Sequence, residues 1–189
     1  MVEAGPTHVA LLLAAGGSRR LGQAKQRIHI DGLPLLRRMA LAALASAPRE
    51  LLVALGAAAD ECHALIADLP LRVIEVPDWT RGMGASLAAL VQSAPADCGL
   101  LALGVDQPAL DAAHLRALVA RWRCDPRRPV ASGYAGIVGT PALFPPGWRA
   151  RLAGLDGDVG ARMLLRASDC AILDAPALAF DIDRPEDLS

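Results

Sequence analysis

Residues 11–25, LLLAAGGSRRLGQAK, join an apolar run to a loop of glycines and cations. The run at 9–13 is short, aliphatic and uninterrupted, the pattern of a strand buried on both faces. It empties into Gly16, Gly17 and Gly22. Glycines let backbone N–H groups turn toward an anion, and Arg19, Arg20 and Lys25 add fixed positive charge. Lys25 is the only lysine among 19 basic residues. A chain that otherwise uses arginine places a compact ammonium here instead of a planar fork. These residues predict a phosphate cradle; the same composition also describes a glycine-rich turn with solvated arginines. Two commoner phosphate loops are excluded by spacing. A Walker A loop needs Gly-Lys-Ser/Thr, whereas Gly22 stands three residues before Lys25 and Gln26 follows it; Gly16, Gly17 and Gly22 do not fit Gly-x-Gly-x-x-Gly.

Outward from this loop, short apolar runs alternate with helical patterns. Strands are predicted at 9–13, 51–55, 71–75, 100–103, 129–132, 142–144, 171–173 and 179–182. Helices are predicted at 35–44, 58–67, 84–93 and 161–166, and at the helically spaced Leu110, Leu115, Leu118, Val119 and Trp122, with Asp111 as N-cap. The alternation predicts an α/β fold of Rossmann-like, three-layer α/β/α build with a mostly parallel central sheet. Ligands of such sheets sit beyond the carboxyl ends of the strands. The length of 189 residues suits one domain spanning 1–189. Residues 124–150, rich in Pro and Gly, read as less regular, an elaborated part of the site rather than a domain boundary.

Composition narrows the function. The chain is 53% apolar and 3% aromatic with a net charge of −1, which argues against a general nucleic-acid binder. Cys62, Cys98, Cys124 and Cys170 show no Cys-x-x-Cys pairing, so neither a zinc site nor a disulfide framework is expected, and buried thiols in a reducing compartment are the default. No apolar run has membrane-spanning length, and the first residues, MVEAGPTH, carry no secretory signal, so a cytoplasmic location is expected. His8, His29, His63 and His114 have no ligand spacing, Ser18 lacks a Gly-x-Ser-x-Gly context, and Trp122 and Trp148 read as packing residues.

Three further constellations fall at predicted strand ends. Gly104-Val105-Asp106-Gln107-Pro108 follows the strand at 100–103, where Asp106 reads as a hard oxygen ligand for Mg²⁺ on nucleotide phosphates or as a turn aspartate. Asp181-Ile182-Asp183-Arg184-Pro185-Glu186-Asp187-Leu188 puts Asp181 and Asp183 on one face if the strand continues. Asp183, ahead of Pro185 and Glu186, also reads as a helix N-cap. In Trp79-Thr80-Arg81-Gly82-Met83-Gly84-Ala85-Ser86-Leu87, glycines at a helix start suit a ribose, base edge or phosphate, or a plain strand-to-helix turn. A fourth segment, Gly157-Asp158-Val159-Gly160-Ala161-Arg162, reads as a glycine turn offering Arg162 to an anion, or as a surface cap.

Leu13-Ala14-Ala15-Gly16-x-Ser18-x-Arg20-Leu21-Gly22-x-x-Lys25 resembles the signature of the MobA-like nucleotidyltransferases. The set of five motifs, running in order from Leu11 to Leu188, is similar to theirs throughout. Ala14-Ala15-Gly16 and the Trp79-x-x-Gly82-Met83-Gly84 segment most resemble the molybdenum cofactor cytidylyltransferases. The resemblance implies Mg²⁺-dependent transfer of CMP from CTP to the phosphate of molybdopterin. It implies nucleotide binding by Ala14, Ala15, Gly16, Gly17, Ser18, Arg19, Arg20, Lys25, Gly82, Gly84 and Ser86, with Arg20, Lys25 and Asp106 catalytic. It further implies metal binding by Asp106, Asp181 and Asp183, acceptor binding by Thr140, Asp158 and Arg162, and a molybdoenzyme or its maturation chaperone as partner. The chain departs from the pattern in Gly139-Thr140-Pro141, where the family often has Gly-His-Pro; threonine can neither titrate near neutral pH nor coordinate as imidazole does.

Overall fold

The computed structural model describes residues 5–18, 20–158 and 160–188. In chain order the elements are β1 (His8–Ala14), β2 (His29–Ile30), β3 (Leu33–Pro34), α1 (Leu35–Leu44), β4 (Leu51–Leu55), α2 (Ala59–Ala64), β5 (Arg72–Glu75) and α3 (Met83–Ser93). Then follow β6 (Gly99–Gly104), α4 (Ala112–Cys124), β7 (Val130–Tyr134), β8 (Ile137–Phe144), α5 (Arg149–Ala153), α6 (Arg162–Arg166) and β9 (Ala171–Asp174). Seven strands form one sheet in the order β5-β4-β1-β6-β8-β7-β9, and β2 and β3 form a separate two-stranded ribbon. Within the large sheet, β8 pairs antiparallel with both its neighbours; the other strands run the same way. This is the predicted α/β fold with a mostly parallel sheet.

The central strand shows why the fold forms. Along β1, Val9 and Leu11 enter one core with Leu87, Leu90 and Val91 of α3, while Ala10, Leu12 and Ala14 enter the other with Leu35, Leu36 and Met39 of α1. Side chains alternate across a strand, so a strand buried on both faces is apolar along its length; buried His8 at its start pairs its Nε2 with Ser46 Oγ at 3.0 Å. Helix α4 starts where the sequence predicts, with the Asp111 carboxylate accepting the His114 N–H at 2.8 Å. Trp122 on the same helix is fully buried.

Two expectations fail. Residues 179–182 form no strand. A 3₁₀ turn at Pro176–Ala179 and another at Pro185–Leu188 bracket them, and the segment crosses the carboxyl edge of the sheet instead of extending it. Residues 124–150 contain the two predicted strands but are more regular than expected: β7 and β8 form a hairpin whose turn residues, Ala135 and Gly136, both have positive φ, 48° and 73°, the pattern of a type I′ turn that matches strand twist.

Candidate active site

Strands β1 and β6 are parallel neighbours with Leu13 opposite Gly104, so the loops that follow them leave the sheet side by side. A cleft of about 1110 Å³ opens over that edge. Residues 14–18, Arg20, Lys25, Gly82, Ser86, Asp106, Thr140, Asp158, Arg162, Asp181 and Asp183 all line it. Of the sequence-predicted site residues, Gly84 stands back from the cleft, and Arg19 lies outside the described residues.

The first loop is held by its own backbone. Leu21 and Gly22 donate to the Ser18 carbonyl at 3.0 and 3.2 Å, and the Lys25 N–H donates to Ser18 Oγ at 3.1 Å. A Cβ on Gly17 would lie 2.8 Å from the Trp79 ring, so this glycine is required by an indole wedged against the loop. Lys25, 14% exposed, places Nζ 2.8 Å from Asp183 Oδ1 and 3.7 Å from Asp106 Oδ2. The other oxygen of Asp183 takes Arg20 Nη2 at 3.0 Å. The hydrogen bond from Lys25, helped by the charges of Lys25, Arg20 and Arg184, holds the Asp183 carboxyl below the usual range against the opposing effect of burial.

Long-range hydrogen bonds deliver the acidic segment. Buried Gln107 donates to the Leu178 carbonyl at 3.0 Å, and the Ile182 N–H donates to the Asp106 carbonyl at 2.8 Å. Both carboxylates therefore reach the cleft without a strand. The N-cap reading of Asp183 is overturned: Asp187 Oδ2 accepts the N–H groups of Asp183 and Arg184, each at 2.8 Å, and the Asp183 carboxylate is engaged by Lys25 and Arg20. Asp181 is exposed as a residue, but burial of its carboxyl, and then the negative charges of Asp106 and Asp183, push its pKa up to about 6 against the pull of Lys25 and Arg162.

The start of α3 is less open than the sequence suggests. Gly82 has φ +111°, and a Cβ there would fall 2.4 Å from the Gly157 backbone. Gly84 donates its N–H to the Gly157 carbonyl at 2.8 Å, and its Cβ would strike the backbone of Asp156. Gly84 thus serves the packing of the 156–158 turn against the helix, and one N–H at the helix start is already taken.

Opposite the first loop, Thr140 sits on β8 with its carbonyl accepting the Tyr134 hydroxyl at 3.0 Å. Tyr134, Arg166 and Gln26 also line the cleft and were missed from sequence; Trp79, quoted there only as the start of the 79–84 motif, lines it too. Arg166 lies one helical turn beyond Arg162, a spacing that could have suggested it. Gln26 is 1% exposed; a buried polar residue directly after Lys25 leaves no periodic signal.

A mostly parallel sheet with a glycine and arginine loop after its first strand and carboxylates at the adjacent strand end has the build of a nucleotidyltransferase. The chain belongs to the MobA-like NTP transferase domain family, which matches residues 10–172. It is 32% identical, over an alignment of 200 residues covering 96% of this chain and 94% of the relative, to the purine catabolism protein PucB of Bacillus subtilis (strain 168). It is 31% identical over 170 residues, 85% of this chain and 82% of the relative, to the nicotine blue oxidoreductase of Paenarthrobacter nicotinovorans. Rv0371c of Mycobacterium tuberculosis H37Rv superposes with a TM-score of 0.86 at 27% identity, covering 97% of this chain and 96% of its own. Its manganese complex superposes at 0.81 with 24% identity, over 96% and 95%. Neither relative's name is that of a cytidylyltransferase. No helix among the described residues is long and apolar enough to cross a membrane.

Proposed function

We propose that this protein, acting as one domain in the cytoplasm, transfers CMP from CTP to the phosphate of molybdenum-bearing molybdopterin, forming molybdopterin cytosine dinucleotide and releasing pyrophosphate. The observation that carries the reading is the meeting of Lys25 with Asp106 and Asp183, at 3.7 and 2.8 Å, beside the first loop. The likeness of 79–84 to the cytidylyltransferase branch supports CTP.

In this reading Arg20 and the backbone N–H groups of 15–18 hold the β- and γ-phosphates, and Lys25 Nζ turns from its carboxylates to the α-phosphate oxygens. Gly82 and Ser86 face the nucleoside. Thr140, Asp158 and Arg162 face the acceptor. Among the described residues no three acidic or imidazole side chains are preassembled around a metal. The donor set nevertheless fits a hard cation: Asp106 and Asp183 already share the positive charge of Lys25, and burial, followed by the like charges of Asp106 and Asp183, raises Asp181. Asp106 and Asp181, with Asp183 beside them, would hold Mg²⁺, which when bound neutralises triphosphate charge; the manganese complex of Rv0371c supports a divalent ion.

The acceptor needs no general base, since its phosphate oxygen is already anionic. That oxygen forms a bond to the α-phosphorus as the bond from phosphorus to the α,β-bridging oxygen breaks, and the electron pair leaves with pyrophosphate. The chain's task is to hold two anions in line and to stabilise the charge that spreads onto the leaving group. The test is pyrophosphate release from CTP, GTP, ATP and UTP with purified molybdopterin, molybdate and Mg²⁺. Release with CTP above the other three is expected. Preference for GTP would make it a guanylyltransferase, release only with another phosphorylated acceptor would replace molybdopterin, and nucleotide binding without any release would make it a binding module.

A further inference from the structure

Three carbonyls of the first loop are tied down. The Gln26 side-chain amide donates to Ala14 O at 2.7 Å and to Gly16 O at 2.9 Å, and the Ala57 N–H donates to Ala15 O at 3.0 Å. In a planar trans peptide, the carbonyl of one residue and the N–H of the next point in opposite directions. Fixing the carbonyls of Ala14 and Gly16 on Gln26 therefore sends the N–H groups of Ala15 and Gly17 away from Gln26. Fixing Ala15 O on Ala57 sends the Gly16 N–H away from the 56–57 turn. None of these three N–H groups has a backbone acceptor among the described residues. They are donors on a loop that lines the cleft, and those of Ala15 and Gly17 leave the same side of it, where an anion could accept both.

We propose that Gln26 is a positioning residue that sets the peptide orientation of the first loop, so that its N–H groups are presented to the triphosphate before the ligand arrives. This rests on the reading of that loop as a triphosphate cradle. The role differs from that of the adjacent Lys25, which supplies charge; the short turn Lys25–Arg27 fixes both side chains at once. Stability alone does not explain the residue. Gln26 Oε1 is buried without a partner among the described residues, and a buried acceptor left unpaired is destabilising. Methionine, of similar length, would fill the same space without that acceptor. What methionine cannot do is donate to two carbonyls.

The probe is inorganic tripolyphosphate, which needs neither base nor acceptor. Gln26→Met is expected to weaken its binding, measured by calorimetry on the full chain, by about 10- to 100-fold, the scale of two lost hydrogen bonds. A merely structural role would lower the melting temperature and leave tripolyphosphate affinity unchanged. Equal tripolyphosphate affinity in Gln26→Met overturns this role and leaves the cradle standing. A natural protein that binds neither tripolyphosphate nor CTP overturns the cradle and this role together. Should Gln26→Met fail to fold, the amide resonances of Ala15, Gly16 and Gly17 in the natural protein decide. Large shifts on adding tripolyphosphate are expected, and unmoved resonances at saturation overturn the proposal.

Discussion

The two halves of the cleft are built in different ways. The first loop is made mostly locally: its anchors to Ser18, its glycines and both Lys25 and Gln26 lie within 14 residues of the end of β1, with Ala57 and Trp79 as its more distant supports. The acidic segment is made remotely: it follows β9 at one edge of the sheet, and bonds from Gln107 to Leu178 and from Ile182 to Asp106 carry it to the strand ends. A locally built half can be read from spacing. A remotely built half shows its chemistry in the sequence while hiding its conformation, because no nearby residue specifies where it lands.

Lys25 joins the two halves, so its loss should have the largest effect. Lys25→Ala is expected to lower turnover by roughly 10²–10³, the scale for removing one preorganised transition-state donor, measured as pyrophosphate release at saturating CTP. Lys25→Arg should rescue little. A planar fork cannot place one point charge between carboxylates at 2.8 and 3.7 Å within a pocket that leaves the side chain 14% exposed. Near-natural turnover in Lys25→Ala would remove the lysine from the chemistry and leave the two halves joined only through Arg20 and Asp183.

Gln107 tests whether the remote half can be detached alone. Gln107→Leu leaves the Leu178 carbonyl without its donor, at a cost of about 1–3 kcal/mol in urea unfolding. Turnover should fall with it, while tripolyphosphate still binds the locally built loop. Equal loss of tripolyphosphate binding would show that the loop depends on the acidic segment.

The same division explains what the sequence revealed. Helix 35–44 and strand 51–55 were legible to the residue because an amphipathic period and a continuous apolar run are local patterns. Asp106 and Lys25 were legible as partners because both follow strands that a parallel sheet sets side by side. Gly82 and Gly84 were legible as special but not as to why: close approach of the 156–158 turn demands them, a contact across more than seventy positions that no spacing rule contains. Asp183 was legible as a carboxylate of consequence, yet Pro185 and Glu186 mimic an N-cap signature. Only the arrival of Lys25 and Arg20 decides which use its oxygens have.

Asp181 should give the smallest and most diagnostic effect, because it reads the charge density of the remote half directly. Its carboxyl is held up at about 6, first by burial and then by Asp106 and Asp183, whereas in the unfolded chain it titrates near the ordinary aspartate value. A raised acid pKa contributes stability that is fully present below the unfolded pKa and is lost as pH rises through the folded one. Without divalent ions, Asp181→Asn should match the natural protein near pH 4. It should gain on it between pH 4 and 6 and hold a constant advantage above. Solvent at the exposed rim keeps that advantage to no more than about 1 kcal/mol. Melting curves across this range give the measurement. An advantage that instead grew toward acid would mean that Asp181 is stabilised as the anion, paired with Arg162 more strongly than it is repelled by its neighbouring carboxylates. The acidic half would then be balanced by charges of its own fold instead of waiting for a cation.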